Sequence, residues 1–305
     1  NKPIRYGLIG FGGIAENRIA KEGFACDQSR FEALANARLI GVTSRSQRRK
    51  PTAETMGLRW YDSAEAVLAD PEIDAVFIAT NNLTHTSLAL QAMEAGKHCI
   101  LEKPAATTAA DAETLVSTAK RLERSLAVDH MMLHNVYNIK AKELIAQGAV
   151  GAVNDICLHM EFCFGATPEE AATWRCSVPE ELGGPIGDVA SHCFYMAEFL
   201  LDSTITSLAC RYAPKTMDIA VENGAYVKFT LANGVTGSVK VSFSESRGGL
   251  AGTLLNLGFE AYGSEGIART NGTLFQLSGH DGEPIKQRLD VIKATSSESI
   301  PVGEP

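Results

Sequence analysis

Tyr6-Gly7-Leu8-Ile9-Gly10-Phe11-Gly12-Gly13-Ile14-Ala15 is the stretch whose reading decides the fold. An apolar run from Ile4 to Ile9 stops at Gly10, and the pattern that follows is G-x-G-x-x-A. Each position has a physical reason. Gly10 permits a tight turn from strand to helix. Gly12 carries no side chain, so a pyrophosphate can approach the backbone. Ala15 is small enough for the new helix to pack on the strand. The helix N-terminus then presents N–H groups and a partial positive charge to the phosphates. A glycine-rich turn alone is a weak signal; its place directly after the first strand-like run gives it weight.

Outward from this turn the first half alternates short apolar runs with helical patterns. Strands are expected at Arg5–Ile9, Arg38–Thr43, Ala75–Thr80, His98–Leu101 and Ser125–Asp129. Their Val, Ile and Leu content suits parallel strands buried on both faces. Helices are expected at Asp62–Ala69, Thr84–Ala95 and Ala109–Arg124, the second closed by Gly96. The pattern predicts an α/β fold with a doubly wound parallel sheet over residues 1–128. Lys21–Ala37 is longer than a minimal unit needs and reads as a loop followed by a short helix around Arg30–Ala35.

In such a sheet, ligands bind beyond the carboxyl ends of the strands. The second strand ends Val42-Thr43-Ser44-Arg45-Ser46, with no carboxylate to take the adenosine ribose hydroxyl. Ser44 and Arg45 suit a phosphate at that position, so NADP(H) is favoured over NAD(H). Arg48, Arg49 and Lys50 add positive charge nearby. The third strand end offers Thr80, Asn82 and His85, although His85 could equally face solvent. The fourth ends Glu102-Lys103-Pro104, two charges directly after a buried strand, which need partners or an opening to solvent. A surface ion pair would also satisfy them.

Composition narrows the classes. The 305 residues suggest two domains, and 45% hydrophobic residues with a net charge of -8 describe a globular, acidic chain. There is no long basic block, which argues against nucleic acid and anionic membranes as partners. No apolar run is long enough to span a bilayer, and the chain enters a strand at once, so neither a membrane segment nor a signal peptide is expected. Seven cysteines without C-x-x-C spacing suggest reduced thiols, a cytoplasmic location and no structural metal.

From residue 129 to 305 the periodicity changes. After an amphipathic helix at Ile139–Gln147, strand patterns follow at Ile156–Phe164, Ile205–Tyr212, Gly224–Leu231, Val235–Phe243, Asn256–Tyr262 and Ile267–Leu277. Ala232-Asn233-Gly234, Gly263–Gly266 and Asn271-Gly272 read as tight turns, which predicts a large, mostly antiparallel sheet. A sheet with few helices after residue 201 needs cover, and an exposed apolar face is expected to make a homodimer or homotetramer. Ala294–Pro305 reads as linker rather than a folded end. Within this half, Gly183-Gly184-Pro185-Ile186-Gly187-Asp188 leads to His192. On a helix over Gly187–Leu201, Asp188 and His192 lie one turn apart on one face. Asp188 could simply complement the helix N-terminus, and His192 could be a satisfied core residue.

Gly10–Ala15, Thr80–His85, Ala95-Gly96-Lys97-His98 and Glu102-Lys103-Pro104 together resemble the glucose-fructose oxidoreductase / inositol dehydrogenase / rhizopine catabolism (Gfo/Idh/MocA) family. Asn81 departs from the family pattern, in which Pro is more usual there. The resemblance implies a Rossmann domain followed by an α+β domain, and an NAD(P)-dependent oxidoreductase of sugars, polyols and related carbinols. All positions of the family's G-G-x-x-x-D-x-x-x-H signature are matched, at Gly183, Gly184, Asp188 and His192. By resemblance, Asp188 and His192 join Lys103 as catalytic residues at the nicotinamide, while Trp174, Arg175 and His134 are substrate contacts. The cofactor set comprises Gly10, Gly12, Gly13, Ile14, Ser44, Arg45, Thr80, Asn82, His85, Glu102 and Lys103. The chain is expected to continue beyond Pro305, as relatives do. A glycosidase with a recycled NAD and a non-catalytic dinucleotide or sugar sensor are the other readings of this fold.

Overall fold

A computed structural model describes residues 2–244, 255–271 and 287–302. The chain divides into two compact units, one ending at Asp129 and the other beginning at His130.

The first unit holds β1 (Ile4–Ile9), β2 (Ala37–Thr43), β3 (Arg59–Trp60), β4 (Ala75–Ile78), β5 (His98–Leu101) and β6 (Leu126–Val128). They form one parallel sheet in the order β3-β2-β1-β4-β5-β6. Neighbouring residues along each inner strand feed opposite faces. Leu8 and Phe77 pack with Phe11, Ile19 and Val42 on one side. Ile9, Val76 and Ile78 pack with Val67, Met93 and Leu101 on the other. Burial on both faces is why these strands read as continuous apolar runs. Arg5 grips Asp74 by Nε (3.0 Å) and Nη2 (2.9 Å), tying the start of β1 to the approach to β4. The guanidinium hydrogen bonds draw the Asp74 carboxyl down to about 2. Lys97, in the turn before β5, is buried and donates to the carbonyls of Asp70 (2.7 Å) and Ile73 (2.8 Å). Burial lowers its pKa.

Helices connect the strands at Ala15–Gly23, Lys50–Thr55, Ala64–Ala69, Asn82–Glu94 and Ala109–Leu122. The expected helix around Arg30–Ala35 does not form. Asp27 instead closes a turn: its carboxylate accepts from Ser29 N (3.2 Å) and Oγ (2.5 Å), and its carbonyl accepts from Arg30 N and Phe31 N. A single turn with no continuation does not recover the cost of helix nucleation.

The second unit holds β7 (Val153–Glu161), β8 (Ile205–Tyr212), β9 (Gly224–Leu231), β10 (Thr236–Ser242), β11 (Leu255–Gly263), β12 (Ile267–Asn271), β13 (Arg288–Lys293) and β14 (Ser296–Ser299). The order is β14-β13-β12-β11-β7-β10-β9-β8, antiparallel throughout except where β10 runs parallel to β7. The turns at Ala232–Gly234 and Gly263–Gly266 form as expected, with Gly263 N donating to Gly266 O at 2.8 Å. The third expected turn reaches Gly272 and so extends outside the described residues, as does the part of the expected last strand beyond Asn271. The linker reading of Ala294–Pro305 is corrected: Ser296–Ser299 is the edge strand β14, and Ile300 N donates to Leu289 O at 2.8 Å. An edge strand of Ser and Glu carries no apolar pattern to reveal it.

One face of this sheet is covered by the helices Val136–Ala146 and Ser191–Leu201, around Leu158, Phe229, Val239 and Phe259. The register places Lys240, Glu161, Glu260, Arg269 and Asp290 together on the opposite face. There Lys240 Nζ meets the buried Glu161 at 2.8 Å, and Arg269 lies 3.7 Å from Asp290. The expectation of an apolar open face is therefore corrected to a face of ion pairs that also carries Tyr226, 46% exposed and paired in register with Lys240. Two further large apolar residues left exposed in this sheet sit on the edge strand β8, Leu208 at 58% and Tyr212 at 63%.

Candidate functional site

In the first unit the strand order reverses between β1 and β4, so their carboxyl ends leave a crevice at the switch point. The turn after β1 is built there. Gly10 N and Phe11 N both donate to Thr43 O at 2.9 Å, joining it to the end of β2. Gly10 has φ +100°, and a β-carbon on it would lie 2.6 Å from Ala79 O, so no other residue fits without moving β4. A β-carbon on Gly12 would meet nothing closer than 3.9 Å. Gly12, Gly13 and Ile14 are exposed, and no side chain caps the helix Ala15–Gly23. That helix is π-wound and nine residues long. An exposed, uncapped N-terminus beside an open glycine is the shape a pyrophosphate requires, so the residues present fit a dinucleotide.

Other predicted residues surround this turn. Ser44 is half-buried and Arg45 exposed, and Arg45 Nη2 donates to Asn81 Oδ1 at 3.4 Å, linking the ends of β2 and β4. Thr80 and Thr84 share a hydroxyl hydrogen bond of 2.7 Å. Asn82 is buried in the first turn of its helix. His85 is 0% exposed. Its Nδ1 lies 2.8 Å from Pro104 O and its Nε2 3.2 Å from Thr80 O. His85 therefore does not face solvent. It braces the ends of β4 and β5. Lys103 is half-buried, its backbone N–H donates to Glu102 Oε2 at 3.2 Å, and the bond to Pro104 is cis.

The second unit assembles its own polar cluster. Gly184 has φ +89°, and a β-carbon there would lie 2.5 Å from the Glu222 carboxylate. That carboxylate accepts from Ile186 N at 2.8 Å and so seats the start of the helical segment. Ile186–Ala190 is π-wound and passes into the α-helix Ser191–Leu201. Asp188 and His192 are each 5% exposed. Asp188 Oδ2 accepts from Arg175 Nε at 2.9 Å, and the Arg175 guanidinium lies over the Trp174 ring at 4.6 Å. His192 Nδ1 lies 2.6 Å from the Tyr195 hydroxyl, and the Tyr195 ring stacks on His130 at 4.3 Å. The structure thus brings Trp174, Arg175 and Asp188 together. His134 is exposed in the turn Met131–His134, and it is His130 that contacts Tyr195. Tyr195, His130 and Glu222 were not anticipated. Tyr195 was within reach, since it stands three residues after His192; the other two carry no local signal.

A six-stranded parallel sheet in this order, with a glycine-rich turn at its switch point, defines a Rossmann dinucleotide-binding unit, here joined to an α+β unit. Residues 4–130 match the family profile described as "Oxidoreductase family, NAD-binding Rossmann fold", and residues 138–269 match the "GFO/IDH/MocA C-terminal domain". The chain belongs to the Gfo/Idh/MocA family. A curated relative is 1,5-anhydro-D-fructose reductase of Ensifer adhaerens, 28% identical over 206 residues, which are 67% of this chain and 59% of that protein. The chain spans about three-fifths of the length of the curated relatives it matches. Among solved structures, KijD10, a 3-ketoreductase from Actinomadura kijaniata in complex with NADP and TDP-benzene, aligns with TM-score 0.78 and 21% identity, over 98% of this chain and 84% of its own. An oxidoreductase from Agrobacterium radiobacter in complex with NAD+, L-tartaric acid and magnesium aligns with TM-score 0.79 and 22% identity, over 98% and 79%. At these identities the two structures show the fold alone. No helix among the described residues is long and apolar enough to cross a membrane.

Proposed function

We propose that the protein is an oxidoreductase that moves a hydride between NADP(H) and a secondary carbinol, or its ketone, of a sugar, polyol or related compound. One observation carries the reading. The switch-point turn, with open glycines before an uncapped helix, lies at the strand ends that also carry Arg45 and Lys103. The reductase named among the relatives supports a sugar-like substrate. The nicotinamide, when bound, supplies or accepts the hydride, which leaves the protein to position the carbons and manage one proton. Lys103 carries a positive charge suited to a developing alkoxide. His192, held at Nδ1 by Tyr195, is the general acid or base. Asp188, held by Arg175, takes a substrate hydroxyl or steadies His192. A screen of polyols and aldoses with both dinucleotides, followed by nicotinamide absorbance, tests this. Dinucleotide binding without turnover on any of them would favour a sensor.

The NADP(H) preference rests on Ser44, Arg45 and the missing carboxylate. Arg45→Asp is expected to weaken NADP binding far more than NAD binding. Equal affinities in the unmutated protein, or a preference for NAD, would refute it.

Assembly belongs to the same reading. An edge strand with exposed Leu208 and Tyr212, beside a sheet face without helical cover among the described residues, supports a homodimer or homotetramer built through the second unit. Light scattering at micromolar concentration should report a dimer or larger; a monomer would count against it.

A further inference from the structure

The short helix Trp174–Ser177 is clamped by its neighbours in the second unit. Thr167 and Glu170 form a reciprocal cap on the helix just before it, Pro168–Ala171. Cys176 is buried, and its carbonyl accepts from Ala220 N at 2.9 Å. Gly183 packs straight onto the same backbone: a β-carbon there would lie 2.7 Å from Trp174 O and 2.9 Å from Arg175 O. Arg175 therefore projects from a fixed main chain.

Its side chain uses only part of its donor set. Nε donates to Asp188 Oδ2 at 2.9 Å, and the guanidinium carbon lies 4.6 Å from the centre of the Trp174 ring. Nη1 and Nη2 make no hydrogen bond among the described residues, and neither is buried. Arg5 shows the alternative, with Nε and Nη2 both closed on Asp74 at 3.0 and 2.9 Å. A guanidinium serving only to hold Asp188 could close the same pair of bonds. The nearby carboxylates do not compete for the fork. Glu170 accepts from Gly165 N (2.9 Å) and Ala166 N (3.2 Å), and Glu222 accepts from Ile186 N (2.8 Å).

Two parallel N–H donors on a planar cation match the two oxygens of a carboxylate or a phosphate. Stacking on an indole fixes the plane of the guanidinium, and a donor pair held in place before the ligand arrives lowers the ordering cost of binding. The Arg175 side chain is 28% exposed, so its charge is less screened by solvent than that of a surface arginine.

We infer that the substrate is an anion, a sugar acid or sugar phosphate, whose oxyanion sits on Nη1 and Nη2 of Arg175 with the Trp174 ring as the wall beside it. The inference rests on the functional reading above and narrows its substrate class from neutral to charged compounds. His192 follows Asp188 by one helical turn, about 5–6 Å, so the carbinol it serves lies a few bonds from the anionic group.

Calorimetric binding to the full chain, with and without NADP, tests this without depending on turnover. The probes are matched pairs that differ in one group: gluconate with glucitol, glucuronate with glucose, galactonate with galactitol, and glucose 6-phosphate with glucose. At least one anion is expected to bind about ten-fold or more tighter than its neutral partner, the effect of hydrogen bonds between charged groups. Tightening confined to the acids identifies a carboxylate, and tightening confined to the phosphate identifies a phosphate; both sustain the inference. Neutral members that bind as tightly as their anionic partners, or no binding by any anion, overturn it. In Arg175→Gln the preference for the anion should vanish, and Arg175→Lys, which keeps the charge without the fork, should keep part of it. A preference undiminished in Arg175→Gln puts the oxyanion elsewhere and also overturns the inference. The ratio within each pair is the readout, because a variant that disturbs Asp188 weakens both members alike. Melting curves confirm that each variant is folded. Anions that bind through Arg175 without turnover remove the enzyme reading and leave this inference standing; turnover of neutral sugars alone does the reverse.

Discussion

Replacing Lys103 by alanine is expected to leave dinucleotide binding intact and to lower turnover by roughly 10²–10⁴-fold, the range for a positioned acid–base group. Binding should survive because Lys103 follows β5, while the glycine turn and the uncapped helix follow β1. The backbone at Lys103 should survive too, since Glu102 Oε2 accepts from its N–H and His85 Nδ1 stands 2.8 Å from the Pro104 carbonyl. What is lost is an ammonium, which in the proposed reaction offsets the charge growing on the substrate oxygen. His192→Ala should cause a loss of similar size and also remove one titration from the pH–rate profile. The two variants therefore separate a charge from a titrating group. Melting curves should accompany His192→Ala, because Tyr195 loses its 2.6 Å partner. Near-normal turnover in either variant, on a substrate the unmutated protein accepts, would remove that residue from the proposed chemistry.

Much of this fold was legible in the residues, and the reasons are physical. Strands buried on both faces must be apolar at successive positions, so Ile4–Ile9, Ala75–Ile78 and His98–Leu101 announce themselves. Arg59–Trp60 and Ser296–Ser299 do not, because a two-residue strand has no period and an exposed edge strand has no apolar face. The site divides in the same way. Gly10 and Gly12 could be chosen from spacing, since a turn is local structure, whereas spacing put Asp188 and His192 on one helix face and only the family resemblance made them site candidates. Glu222 could not, because its role comes from packing against Gly184, 38 residues earlier in the chain (222 − 184). The Arg49–Glu16 pair spans 33 residues and exists only because β2 lies beside β1. His85 shows the limit most plainly. Its position suited a ligand contact and a solvent-facing helix start equally, and only its burial between two carbonyls excludes the second.

The glycines of the switch-point turn give the other large effect, and they should fail in different ways. Gly10→Ala is expected to destabilise the first unit by about 2–5 kcal/mol. A residue with a β-carbon pays roughly 1–2 kcal/mol at such a positive φ, and overpacking against a backbone atom adds a further 1–3 or so. The obstacle is Ala79 O at 2.6 Å, at the end of β4, where Ala79 N donates to Ile9 O at 2.8 Å. No side chain can rotate away to relieve that contact, so β1 and β4 must part. Gly12→Ala meets nothing closer than 3.9 Å and has no positive φ, so stability should change by about 0.5 kcal/mol or less. Its methyl group would instead stand where a pyrophosphate approaches the backbone, and dinucleotide affinity should fall by about ten-fold or more. Denaturation midpoints and dinucleotide titrations on the two variants check both halves. A Gly12→Ala protein that binds NAD and NADP as tightly as the unmutated one would show that the open side of this turn is not where the phosphates lie.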